Sequence, residues 1–213
     1  MTESGKPILA NDPHLELTLP SVWYELHLVG DGLNVAGVTF PGVPLVVLGH
    51  TEHIAWAATT TAADMDDLFI EKLHPRDPGQ YMFQNEWIKF ETFNETIKIR
   101  ENGGFREEPF EVRVGKHGPV MNDVLDLPSK SGEALALCWT GHQFADPVGA
   151  LLSVARSRDW DSFRCGINKL ACPVQNWLYA DSEGNIGYIA AGLFPLRPLH
   201  QGTFPAPGIG GYE

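Results

Sequence analysis

Positive charge is scarce in this sequence. Its 213 residues carry 15 Lys and Arg against 27 Asp and Glu, a net charge of −12. The basic residues are scattered and form no stripe that could neutralise phosphates, so a nucleic-acid partner is not expected. Long apolar runs are missing too. No stretch is long enough to cross a bilayer, and Met1 is not followed by a basic and then apolar leader, so a soluble chain with no membrane partner is expected. Cysteine is sparse: Cys138, Cys165 and Cys172 cannot all pair and show no CxxC spacing. Buried free thiols are the expectation, and they leave the redox compartment undecided. There is no GxSxG elbow, no glycine-rich phosphate loop and no cysteine placed beside a base. Local motifs therefore supply no nucleophile.

What the chain does have is 43% hydrophobic residues, enough for a sizeable core, and 22 Gly and 16 Pro that punctuate short apolar runs. That is the look of a β-rich chain. Val22–Val29, Asn34–Phe40, Ile54–Thr60, Leu68–Lys72 and Leu135–Trp139 read as strands. Near the start, the pair Ile8-Leu9 and the alternation Leu15–Leu19 look strand-like as well, on either side of the turn Asn11-Asp12-Pro13-His14. Between Tyr81 and Val114 apolar residues alternate with charged ones, so 81–114 is expected to be an antiparallel β insertion or subdomain with one wet face. Pro147–Arg156 begins as a helix, with Asp146 as N-cap and proline at the first position. Asp159 opens a second, in which Trp160, Phe163, Ile167 and Leu170 share a face and which Pro173 stops. Trp177–Asp181 and Ile186–Ala190 form a hairpin around Ser182-Glu183-Gly184-Asn185. Many strands with few, clustered helices indicate an α+β fold. The aromatics Trp23, Tyr24 and Trp177 are read as core.

Three polar groupings could carry chemistry. His50 and His53 are three apart, but Gly49 and the strand that follows argue against a metal helix, and no third ligand is evident. Asp64-Met65-Asp66-Asp67 puts three carboxylates in four residues, an oxygen-rich turn that suits calcium but is also a common surface feature. Asn176, at a strand start, offers an amide donor of the kind used to hold an oxyanion, although an Asn there is more often a turn residue.

Taken together, the blocks "SGKPILANDPHLELTLPSVWYELHL", "VAGVTFPGVPLVVLGHTEHIAWAATTTAADMDDLFIEKL", "KHGPV" and "VQNWLYADSEGNIGYIAAGLFPLR" resemble the β chain of the penicillin acylase family, within the N-terminal nucleophile hydrolases. The resemblance runs from Ser4 to the last residue and is weakest over 81–114. It implies a single partial nucleophile-hydrolase domain over 1–213, part of a four-layer αββα sandwich of two antiparallel sheets. It also implies a precursor that cuts itself and exposes a serine whose own α-amino group is the base. That serine attacks an amide carbonyl, and water then releases the acid from an acyl-enzyme. By resemblance Asn176 is the oxyanion-hole asparagine, the Thr60 backbone N–H is the second donor, and His14 orients the serine's amine. Asp64, Asp66 (through its carbonyl) and Asp67 match a calcium-binding turn, with Asp181 as a further ligand.

One part of the pattern is not in this chain. The family's nucleophilic serine opens a strand upstream of the "SGKP" block, and Thr2 and Ser4 lie too close to His14 to replace it. The resemblance therefore implies an amidohydrolase acting on a small linear amide, such as an N-acyl homoserine lactone, a β-lactam side chain or an acylated amine. These 213 residues alone are expected to be inactive. An α chain of the same precursor is the implied partner, and the periplasm or the exterior the implied location. The rival expectation is a catalytically inactive binding or structural module that keeps the sheet and the cation site.

Overall fold

Apolar runs bounded by Gly-, Asp- and Asn-bearing turns pair into ladders from Tyr24 onward, interrupted by two helices. The computed structural model describes residues 2–122, 124–125, 127 and 130–212. Among them are strands β1 (Tyr24–Gly30), β2 (Leu33–Thr39), β3 (Leu48–His50), β4 (Ile54–Thr60), β5 (Asp66–His74), β6 (Asp77–Phe83) and β7 (Glu86–Lys89). There follow β8 (Glu91–Glu101), β9 (Gly104–Gly115), β10 (Gly118–Pro119) and β11 (Glu133–Trp139), helices α1 (Pro147–Ala155) and α2 (Trp160–Ile167), then β12 (Gln175–Asp181), β13 (Ile186–Ala191) and β14 (Ala206–Pro207). The chain divides into two compact units, Met1–Ala63 with Gln143–Phe194, and Asp64–His142 with Pro195–Glu213.

The first unit is built on a six-stranded sheet in the order β1-β2-β3-β4-β12-β13. Its core gathers one face of these strands, including Val35, Leu48, Ile54, Trp56, Trp177 and Tyr179, with Val154, Phe163 and Ile167 of the two helices. Each such fully buried side chain contributes about 1.5–3 kcal/mol. Both helices start as their sequences dictate. The Asp146 carboxylate accepts from Gly149 N at 2.8 Å, and Asp159 and Ser162 form a reciprocal capping box. The second helix ends at Ile167, with Asn168 as C-cap, so Leu170 falls outside it and Pro173 is not what stops it. The Trp160 and Phe163 rings lie 5.3 and 5.2 Å from the Tyr179 ring. Gly187 makes room for this: a Cβ there would stand 2.4 Å from the Trp160 ring. The β12–β13 hairpin has the expected turn, with Gly184 at φ +105°.

The second unit holds a five-stranded sheet, β11-β5-β6-β7 with β14 beside β5, and a three-stranded one, β10-β9-β8. Residues 81–114 are divided between them. Strands β6 and β7 extend the first sheet, while β8 and β9 form a long ribbon paired from Glu91↔Val114 to Glu101↔Gly104. Tyr81, Phe90, Val120 and Ala134 make a small core.

Three further local expectations fail. Residues Ile8-Leu9 and Leu15–Leu19 form no strand; Leu17 and Leu19 are fully exposed, because alternation without a ladder partner does not hold a strand. The cysteines are free as expected but not buried: Cys138 and Cys165 are exposed and Cys172 half-buried. Cys165 belongs to a short amphipathic helix and lies outside its buried face of Phe163, Gly166 and Ile167. Tyr24 is also exposed, on an edge strand, whereas Trp177 is core.

Candidate active site

Strand β12 alternates between two environments. Trp177 and Tyr179 enter the core of the first unit, so Asn176 and Leu178 point to the opposite face. Across the sheet Asn176 stands in register with Thr59 of β4 and Ala190 of β13. Its side-chain amide is held at both ends. Asn176 Nδ2 donates to the Thr60 carbonyl at 3.1 Å, and the Tyr188 hydroxyl donates to Asn176 Oδ1 at 2.6 Å.

The loop that follows β4 is tied together by hydroxyls. Thr60 Oγ1 accepts from Ala62 N at 3.2 Å, and Thr61 Oγ1 accepts from Ala63 N while donating to the Val174 carbonyl. Ala62 sits at φ +52°, so the chain turns sharply here. That turn leaves Thr60 at the rim of a cavity of about 690 Å³ within the first unit. His14 and Gln175 also line it, and its walls are apolar, among them Trp23, Phe40, Val43, Leu151, Leu170 and Trp177. An apolar chamber with a few convergent polar groups is the usual form of a small-molecule site.

The expected site residues are thus only partly brought together. Thr60 and His14 line the cavity; Asn176 does not, and reaches it only through its bond to the Thr60 carbonyl. The His14 side chain is 90% exposed, with Asp12 as its ion-pair partner, at 3.5 Å. The residue of that turn that touches the sheet is Asn11. Its Nδ2 donates to the Ala58 carbonyl at 3.1 Å and its Oδ1 accepts from Ala58 N at 3.2 Å. Thr2 and Ser4 are not among the residues lining the cavity, and the Lys6 ammonium ties that end of the chain to the Ser182 carbonyl. Cys172 does line it, but burial pushes its thiol pKa up, which keeps the sulfur in its less nucleophilic form.

The residues matched to a calcium turn converge on a different cation. Arg197 Nε donates to both Asp67 carboxylate oxygens, at 3.0 and 2.9 Å. Arg197 Nη2 lies 3.2 Å from Asp64 Oδ2 and reaches the Asp64 and Asp66 carbonyls at 3.1 and 3.5 Å. Asp181 belongs to the other unit and is already engaged, accepting from the Tyr179 hydroxyl and from Asn185 Nδ2 at 2.9 Å each and from Asn185 N at 2.8 Å. Burial alone would raise the Asp181 pKa; these hydrogen bonds outweigh it and hold the carboxyl below the usual aspartate value. Among the described residues no group of three or more His, Cys, Asp or Glu is arranged to hold a metal ion. As arranged, the acidic turn does not fit a divalent ion, because a guanidinium already fills it.

Comparison with known proteins decides the family. The penicillin amidase family model matches residues 1–213. The chain belongs to the penicillin amidase family. Penicillin G acylase of Escherichia coli is 31% identical over 212 residues, 99% of this chain and 24% of its own length. An acyl-homoserine lactone acylase, QuiP, of Pseudomonas aeruginosa is 30% identical over 221 residues, again 99% of this chain and 25% of its own. Among solved structures, a thermostable penicillin G acylase from Alcaligenes faecalis superposes with a TM-score of 0.78 at 34% identity, over 91% of this chain and 34% of that one. The fold is therefore the α+β, N-terminal nucleophile hydrolase type of the penicillin amidase family. The chain spans about a quarter of the length of the curated relatives it matches. Sequence reasoning had missed Asn11, Tyr188 and Arg197. Tyr188 was within reach of counting: the hairpin register sets it two residues from Ala190, the partner of Asn176, and so on the same face.

Proposed function

We propose that this chain forms the oxyanion-hole side of an amidohydrolase that cleaves a linear amide through an acyl-enzyme. The observation that carries the reading is the Asn176–Thr60 contact, made by a threonine that lines an apolar chamber together with His14. An acyl group fits the apolar walls, while the carbonyl to be attacked sits at the polar rim. Asn176 keeps a second amide N–H beyond the one given to Thr60, and together with the Thr60 backbone N–H it stabilises the developing oxyanion. The nucleophile in this reading is an N-terminal serine exposed by self-cleavage of a longer precursor, and His14 orients its amine. The partner is the α chain of that precursor, and the location is periplasmic or extracellular. Calcium enters in a restricted form: an ion at Asp64, Asp66 and Asp67 has to displace Arg197, and no catalytic step runs through it.

The test uses the full-length gene product and two chromogenic substrates, a phenylacetyl anilide and a fatty-acyl anilide. Turnover of one of them is expected, with kcat falling about 10²- to 10³-fold in Asn176→Ala, the loss of one oxyanion donor. No turnover of either, or an Asn176→Ala variant as fast as the parent, overturns the reading. The 213-residue chain alone is expected to show none.

A further inference from the structure

An oxyanion donor works only if its N–H is aimed before charge develops, and an asparagine amide can rotate, or turn over by 180°. Asn176 is held against both. The Thr60 carbonyl can only accept, so the NH₂ end must face it; with the amide flipped, two carbonyl oxygens would confront each other. The Tyr188 hydroxyl then meets Oδ1, and at 2.6 Å it is the donor. Strand geometry makes the contact possible. Leu178 pairs with Tyr188 and Asn176 with Ala190, so the Tyr188 ring is the diagonal neighbour of Asn176 on one face of the sheet. Drawing electron density toward Oδ1 also makes the NH₂ a better donor, since hydrogen bonds in a chain polarise one another. Tyr188 is 61% exposed and lies outside the core, so packing does not account for its placement.

We propose that Tyr188 is a positioning residue that locks the Asn176 amide with its NH₂ aimed at the oxyanion, acting through Asn176 and not on the substrate. The inference rests on the reading of Asn176 given above. The test is a double-mutant cycle in the full-length gene product, with the same two anilides. Tyr188→Phe removes only the hydroxyl. It is expected to lower kcat about 5- to 30-fold, part of the loss caused by removing the donor outright, with KM within twofold and the melting temperature unchanged. In an Asn176→Ala background, Tyr188→Phe is expected to have no further effect. If Asn176→Ala itself leaves kcat intact, the oxyanion reading fails. If Asn176→Ala slows the enzyme but Tyr188→Phe does not, the oxyanion reading stands and the positioning role is lost. Equal losses from Tyr188→Phe in both backgrounds also overturn it, because the tyrosine would then act independently of Asn176.

Discussion

Glu71 and His117 meet at 2.7 Å in the interior of the second unit, with their side chains 0% and 2% exposed. The imidazole is stacked on Phe69 with ring centroids 4.1 Å apart, and Glu71 Oε2 has no hydrogen-bond partner among the described residues. The carboxylate thus depends on His117 for its hydrogen bond. His117→Ala strands a buried acid and is expected to cost about 3–5 kcal/mol in chemical denaturation. Replacing both residues by leucine should cost much less, because no charge is then left unpaired. A single variant within 1 kcal/mol of the parent, on the order of a surface pair, would refute the argument.

The Arg197 clamp makes a separate prediction. Its side chain is 16% exposed and that of Asp67 8%, so removing the guanidinium leaves an acidic turn short of its cation. Arg197→Ala should lose on the order of 3 kcal/mol. Millimolar calcium should then recover part of that, at about 2–4 °C of melting temperature per kcal/mol. The parent should melt at the same temperature with calcium or with a chelator. A parent protein stabilised by calcium would show that the ion and Arg197 share the turn.

Asp181 gives the chain an acid-sensitive element. Its folded-state pKa lies below the unfolded value of about 3.9, so the unfolded state binds the proton more readily. The stabilisation is present in full well above that value and is lost as pH falls through it toward the lower folded-state one. Asp181→Asn keeps the shape but should flatten the stability–pH curve below about pH 5. Parallel curves for parent and variant from pH 6 to 3 would count against it.

Much of the first unit was legible because its signals are local. Strand β4 matches its expected bounds, and both helix starts follow from Asp146 and Asp159. Asn176 was visible as an amide donor at a strand start, its role and Thr60 came from resemblance, and the structure places the two in contact. What could not be read depends on distance in the chain. Arg197 reaches Asp67 across 130 residues, and His117 reaches Glu71 across 46, and neither partner has a periodicity that announces it. The N-terminal segment misled for the converse reason: its alternation is a local signal, but a strand needs a neighbour.

That segment is instead fastened by one side chain, and the last prediction concerns it. Strand β3 pairs with β4 only at Trp56 and Ala55, while β12 covers the other edge of β4 along its whole length. At Ala58 the Asn11 amide exchanges both hydrogen bonds with the backbone, as a neighbouring strand would. Asn11→Ala loses both, about 0.5–1.5 kcal/mol each, and frees the cavity wall that carries Asn11 and His14. Asn11→Asp should be worse at neutral pH. Its carboxylate can still accept from Ala58 N but faces the Ala58 carbonyl with like charge. Acidification through the carboxyl pKa restores a donor, so the aspartate variant should regain stability relative to the alanine variant as pH falls. Melting temperatures of the three proteins at pH 7 and pH 4 test this ordering. An aspartate variant that tracks the parent at both would show that the Asn11 amide does not hold the β4 edge.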